Sequence, residues 1–176
     1  VFPFEGRLFS FYLKLKYTYT HMQQFFSNEI FISLIIAMGL GICMGVERFM
    51  AGKPAGMRTY ALISMGSALF VIISQAVASH SLSYNFDPLR IAAQIVAAAG
   101  FLGVGAMFHK DNQVVGVTTA SGMWVAAGVG MACGFGLYSI AITVTFLTLF
   151  AFLVLWFVEK QIRRFSRQDD TSSHSL

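Results

Sequence analysis

No Asp, Glu, Lys or Arg falls between Asp111 and Glu159, and none between Arg58 and Asp87. Uncharged stretches of that length constrain the fold more than any other feature. Each is long enough for at least one helix of the ~20 residues that cross a hydrocarbon core. The composition agrees: the chain is 56% apolar and only 11% charged, with a mean hydropathy of +0.68. A soluble globule carries roughly 25% charged residues, so this chain lacks the charge to cover a water-facing surface. Eighteen Phe and sixteen Gly are at home in lipid-embedded helices. In lipid, helices satisfy their own backbone groups without closing a barrel, and these runs show no strand-like alternation. The sequence therefore predicts an all-α integral membrane protein.

At 176 residues the chain reads as one domain. Five apolar runs, at about 29–47, 58–79, 88–108, 115–133 and 135–158, are expected to form about five transmembrane helices. They make up a transmembrane domain over 29–158. The fourth run, with Thr118, Thr119, Ser121 and several glycines, should be shielded by its neighbours. Residues 1–28 form an aromatic, basic leader with no cleavage site of the signal-peptide kind. Its residues 1–21 are read as an extension upstream of a translation start at Met22, the alternative being an interfacial amphipathic segment. The polar tail, 159–176, has no apolar period and is expected to fray, and no second soluble domain is predicted.

The stretch Gly45–Phe70 joins the first two runs through a loop holding Glu47, Arg48, Lys53 and Arg58, spaced by Gly52, Pro54 and Gly56. Such a loop belongs at a membrane surface. Arg48, Lys53, Arg58, Lys110 and the tail's Lys160, Arg163, Arg164 and Arg167 fall on one side of a five-helix arrangement. Arg90 and the leader's Arg7, Lys14 and Lys16 fall on the other. The richer side should be cytoplasmic, with the N-terminus outside and the C-terminus inside. Basic residues clustered at the ends of apolar runs anchor helices in a bilayer, so no nucleic-acid partner is expected.

Gly41-x-x-x-Gly45 removes the side-chain standoff on one face of the first helix. Ala61, Ser64 and Ala68 offer a similar face in the second, and Ala93, Ala97 and Gly100 in the third. Gln75, Gln94, Thr118 and Thr119 are expected to hydrogen-bond between helices. Glu47 either forms an interfacial pair with Arg48 that snorkels to the surface or pairs across helices with Arg58. Asp87-Pro88 is a helix start, because Asp caps free amides and Pro suits the first helical position. His109-Lys110-Asp111 reads as a solvated loop, and Cys43 and Cys133 as small hydrophobes. Walker A, HExxH, CxxC and paired-carboxylate patterns are absent from the sequence. No catalytic residue, metal site or cofactor is predicted.

These segments resemble the MgtC/SapB family of bacterial inner-membrane proteins. The resemblance rests on GVER at 45–48, AGKPAGMRTYALISMGSALF at 51–70, DPLRIAAQIV at 87–96, GFLGVG at 100–105 and VGVTTASGMW at 115–124. It runs in order from about Gly41 to Gly136. Family members often carry Ser-Gly at Ala97-Ala98 and Thr-Thr-Ala-Ala at Thr118-Thr119-Ala120-Ser121; small residues remain small in both places. The resemblance, together with the polar positions above, marks Glu47, Arg48, Lys53, Arg58, Thr59, Asp87, Arg90, Gln94, Gly103, Gly105, Thr118 and Thr119 as candidate functional or helix-packing residues. It implies a link to growth in low Mg²⁺, to virulence and survival in macrophages for some members, and to modulation of membrane ATPases. The chain reads as a short form without the soluble C-terminal domain of the virulence-associated members. The leading expectation is a non-enzymatic protein in the lipid bilayer that contacts a membrane ATPase or transporter subunit and self-associates. The alternative is a small oligomeric Mg²⁺ transporter or channel.

Overall fold

The computed structural model describes residues 28–80, 87, 89–110 and 113–172. The leader and its Met22 start, Pro88, Asp111 and residues 173–176 lie outside the described residues. Among the described residues five helices follow one another: α1 Asn28–Met50, α2 Met57–His80, α3 Leu89–Gly105, α4 Val117–Gly134 and α5 Tyr138–Ser172. A short antiparallel hairpin, β1 Phe108–Lys110 with β2 Gln113–Val115, joins α3 to α4. The chain is an all-α membrane protein. Asn28–Met50, Met57–Ser79 and Tyr138–Ile162 are long and apolar enough to cross a membrane by length and composition, and Leu89–Gly105 is a shorter apolar helix.

Helix ends follow local chemistry. Glu29 lies in the first turn of α1 and Arg48 in its last, each matched to the helix dipole. Gly52, at φ 64°, then turns the chain left-handed. The Lys53 N–H donates to the Arg48 carbonyl at 3.0 Å and the Gly52 N–H to the Phe49 carbonyl at 3.1 Å, which closes a Schellman cap. Gly136 (φ 75°) repeats this cap after α4, with Leu137 N–H donating to Ala132 and Gly136 N–H to Cys133. Because an L-residue in this conformation costs about 1–2 kcal/mol, Gly52→Ala should lower the thermal midpoint in detergent. Gly52→Asn should recover part of the loss.

Asp87 caps α3 as expected: its Oδ1 accepts the Leu89 N–H at 2.9 Å, and its carbonyl accepts the Arg90 N–H at 3.2 Å. Asp87→Ala should therefore cost about 1 kcal/mol of stability, read by the same melt.

Two boundaries depart from the sequence reading. The third run stops as a helix at Gly105, and Val115 lies in a strand rather than opening the fourth. Glycines at 103 and 105 weaken the helix end, while β-branched Val114 and Val115 favour the strand. Gly116 (φ 98°) makes the corner, where a Cβ would strike the Ala106 carbonyl oxygen. The second departure is the tail. It continues α5 to Ser172 instead of fraying, since no Gly or Pro interrupts the chain after Leu137 and Gln and Arg are good helix formers.

The bundle is built around α4, which packs against α1, α2, α3 and α5. Its buried residues include Thr119, Gly122, Met123, Ala126, Ala127, Val129, Gly130 and Cys133. The expected shielding of this polar, glycine-rich run is what the fold delivers. Close approach is literal. A Cβ at Gly41 would lie 2.6 Å from the Tyr60 carbonyl oxygen, and one at Gly45 would lie 2.5 Å from Met57 Cα. The Gly41/Gly45 face thus seats α1 on α2, as its spacing predicts. Ser64, whose Cβ also meets Gly41, and Ala68 receive Gly130 and Gly134 of α4 on an adjoining face of α2.

In α3 the packing stripe is Ile95, Ala99 and Gly103, with Gly103 against Ala120. Ala93, Ala97 and Gly100, expected to pack, face outward. Phe101, Phe146, Phe150 and Trp156 are among many large apolar side chains left exposed. An apolar exterior on this scale belongs in lipid.

Candidate functional site: a buried ion pair at one end of the bundle

Glu47 and Arg48 close α1 at the end of the bundle where α2 and α4 begin. Neighbours on a helix diverge by about 100°, yet Arg48 is long enough to fold back, and its Nε donates to Glu47 Oε2. Arg48 is 3% exposed, whereas the Glu47 side chain retains 13%. The guanidinium carbon sits 3.7 Å from the centroid of the Phe152 ring of α5, a cation–π contact inside the protein. A planar, weakly hydrated guanidinium suits such a place better than an ammonium would.

Tyr60 of α2 completes the cluster. It is fully buried, and its hydroxyl donates to the Thr119 carbonyl of α4 at 3.1 Å. Gly122, one turn further along α4, makes room for both rings: a Cβ there would lie 2.8 Å from Phe152 Cζ and 3.2 Å from Tyr60 Cζ. Four helices thus converge on one charge pair. At the opposite end, Ser33 Oγ and the Tyr138 hydroxyl lie 2.5 Å apart and tie α1 to the start of α5.

The pairing of Glu47 with Arg58 is not what the fold makes. Arg58 is exposed, while Tyr60, two residues on and about 200° around the helix, takes the inward position. Nor does Arg48 snorkel outward; it is among the buried residues of α1. Of the other candidates, Lys53 and Thr118 are exposed and Thr59 is half-buried. Arg90 and Gln94 lie exposed on α3, and Gly105 meets open space. Thr119 does join two helices, though through its carbonyl rather than its hydroxyl. Gln75, Gln94 and Thr118 stand on the surface and bridge no helices. Among the described residues, no three His, Cys, Asp or Glu side chains gather to hold a metal ion.

Tyr60, Gly122 and Phe152 were not singled out from sequence. Gly122 and the Gly130-x-x-x-Gly134 pair carried a usable signal, since small residues one turn apart mark close helix contacts. Phe152 carried none, standing in a run with Phe146, Phe150 and Phe157.

A tightly packed helical membrane domain, with one charge pair drawn into its end, is the class this fold and site define. The chain belongs to the MgtC family, whose sequence model matches residues 34–161. It is 44% identical over 124 residues to the Escherichia coli (strain K12) protein named "Putative magnesium transporter YhiD", covering 69% of this chain and 58% of that one. It is 36% identical over 137 residues to Protein SapB of Bacillus subtilis (strain 168), covering 75% and 59%. Protein MgtC of Salmonella typhimurium (strain LT2) is 39% identical over 124 residues, covering 70% and 51%. The match thus spans between half and two-thirds of the length of these relatives. No solved structure matches the chain.

Proposed function

We propose that this chain is a non-enzymatic membrane protein of magnesium homeostasis that acts by helix–helix contact on a membrane ATPase or transporter. The observation that carries the reading is the filled interior. The axis of the bundle is occupied by α4, whose Ala126, Val129 and Cys133 are buried and whose Gly130 touches the Ser64 backbone. A cation crossing a membrane needs polar or ionised groups along an open path; Ser64, Ser67, Ser74 and Thr119 are buried here, but where α4 crosses α2 the backbones meet too closely at Gly130 and Ser64 to admit an ion between them. Its outer surface offers the small-residue face of Ala93, Ala97 and Gly100 for a neighbouring helix, from a partner subunit or a second copy. Magnesium enters through the name of one relative, "Putative magnesium transporter YhiD". In this reading the chain lies in a bacterial inner membrane with its C-terminus cytoplasmic, by the Lys and Arg bias. It supports growth in low Mg²⁺ and, in pathogenic hosts of the family, virulence.

A second reading is a small oligomeric Mg²⁺ transporter whose path runs between protomers, and the YhiD name favours it. Reconstitution separates the two. Vesicles carrying the purified protein should show no protein-dependent Mg²⁺ flux, while mild-detergent extracts of Mg²⁺-limited cells should yield it together with an ATPase or transporter. A robust flux from the protein alone would give the second reading precedence.

A further inference from the structure

Helices α2 and α3 do not close on each other. Between them runs a half-open groove of ≈ 540 Å³, walled by Leu62, Gly66 and Phe70 of α2 and by Ile91, Gln94 and Leu102 of α3, with Ala127 of α4 as its floor. From Ile91 to Leu102 it extends about 16 Å along α3 at 1.5 Å per residue. One leaflet of a ~30 Å hydrocarbon core has about that depth. The lining is apolar except at Ser67 and Gln94, and Gln94 lies towards the start of α3. One turn before Gln94, on the same face, stands Arg90, exposed in the first turn of the helix. Helix side chains lean towards the N-terminus, so the guanidinium is carried past the helix end to the membrane surface.

We propose that this groove is a phospholipid site: Arg90 takes the phosphate, the Gln94 carboxamide donates to an ester carbonyl, and one acyl chain fills the slot down to Leu102. The order of chemistry along α3 is cation, hydrogen-bond donor, then apolar wall. An anionic phospholipid has the same order from headgroup to chain, and the two polar groups stand one helical turn, about 6 Å, apart. A second copy of this bundle, whose exterior is apolar, would fill the slot but bring no phosphate to Arg90. The lipid satisfies both, and it supplies a partner for a carboxamide that hydrocarbon alone would leave unpaired.

Native mass spectrometry of the delipidated full chain in mild detergent tests the proposal, using phosphatidylglycerol, an uncharged diacylglycerol and inorganic phosphate as probes. Wild type should take one phosphatidylglycerol per chain saturably, prefer it to diacylglycerol, and ignore inorganic phosphate. Gly66→Leu fills the groove from a position whose Cβ meets nothing within 4 Å, and should abolish saturable binding. Arg90→Gln should weaken it about tenfold, the worth of one charge-assisted contact, and remove the preference over diacylglycerol. Leu153→Phe, on the exposed face of α5, should change nothing. The proposal is overturned if both groove variants bind phosphatidylglycerol as wild type does, or if inorganic phosphate displaces it. It is overturned equally if wild type is a dimer that Gly66→Leu dissociates, since a second copy then fills the groove. Arg90→Gln, at an exposed helix start, keeps the test decisive should Gly66→Leu fail to fold.

Discussion

Glu47→Gln should destabilise the protein more than Arg48→Gln. The first leaves a guanidinium that is 3% exposed without its counter-charge; the second leaves a carboxylate with 13% of its side chain still in contact with the surroundings. Breaking a fully buried pair costs about 3–5 kcal/mol. Glu47→Gln should approach that range and Arg48→Gln should fall below it, because Glu47 can turn to water or headgroups. Arg48→Gln also gives up the contact with Phe152, worth about 0.5–2 kcal/mol. Replacing both charges, in Glu47→Gln with Arg48→Gln, should restore part of the loss, since a neutral pair leaves no buried charge uncompensated. Arg58→Gln is the control: exposed and outside the cluster, it should shift stability by no more than about 0.5 kcal/mol. Thermal unfolding in detergent, run as a double-mutant cycle, reads all four. An Arg58 effect equal to that of Arg48 would show that the carboxylate answers to the wrong arginine in this account.

The second large effect is expected at Gly130. Its missing Cβ would land on the Ser64 carbonyl oxygen, with the Ser64 carbonyl carbon and Cα at 2.7 and 2.8 Å. These are backbone atoms of a packed helix and have no rotamer to change. Gly130→Ala should thus force α2 and α4 apart, at a cost of about 1–3 kcal/mol for an overpacked core, and Gly130→Val should cost more. Gly128, two residues earlier, meets nothing within 4 Å. There Ala replaces Gly in an unobstructed helix and should stabilise by about 0.5–1 kcal/mol. Opposite signs at two glycines of one helix separate packing from propensity. Equal effects would mean that α2 and α4 are not in the contact described.

What could be read from the residues divides along a physical line. Fold class follows from the uncharged runs, which need no knowledge of neighbours. Gly41 and Gly45 were legible as a contact face because they continue a line of small residues one turn apart, Ser33, Ala37, Gly41 and Gly45, while larger side chains occupy most of the other positions. The same rule failed in α3. Ala92, Ala93, Ala97, Ala98, Ala99 and Gly100 put small residues on every side of that helix, so spacing could not tell the Ile95–Ala99–Gly103 stripe from its opposite. The sequence left the partner of Glu47 open between Arg48 and Arg58 for a related reason. Which arginine lies near depends on how the first turn of α2 is rotated, and that is set by Tyr60 reaching the Thr119 carbonyl across 59 positions of sequence. The hairpin escaped because Gln113–Val115 is a three-residue strand, too short to show a period of its own.

The central place of α4 bears on how the protein is made. It is the helix that all the others lean on, yet it is not among the three that are long and apolar enough to cross a membrane by length and composition. Its Thr119 and its glycine face suit close neighbours better than lipid tails. Synthesis delivers α1, α2 and α3 before it and α5 after it, so α4 leaves the ribosome with part of its socket already in the bilayer. The insertion machinery therefore has to keep a half-built bundle together until α5 arrives. The glycines that set the final packing are the ones that let α4 slide close against helices made before it.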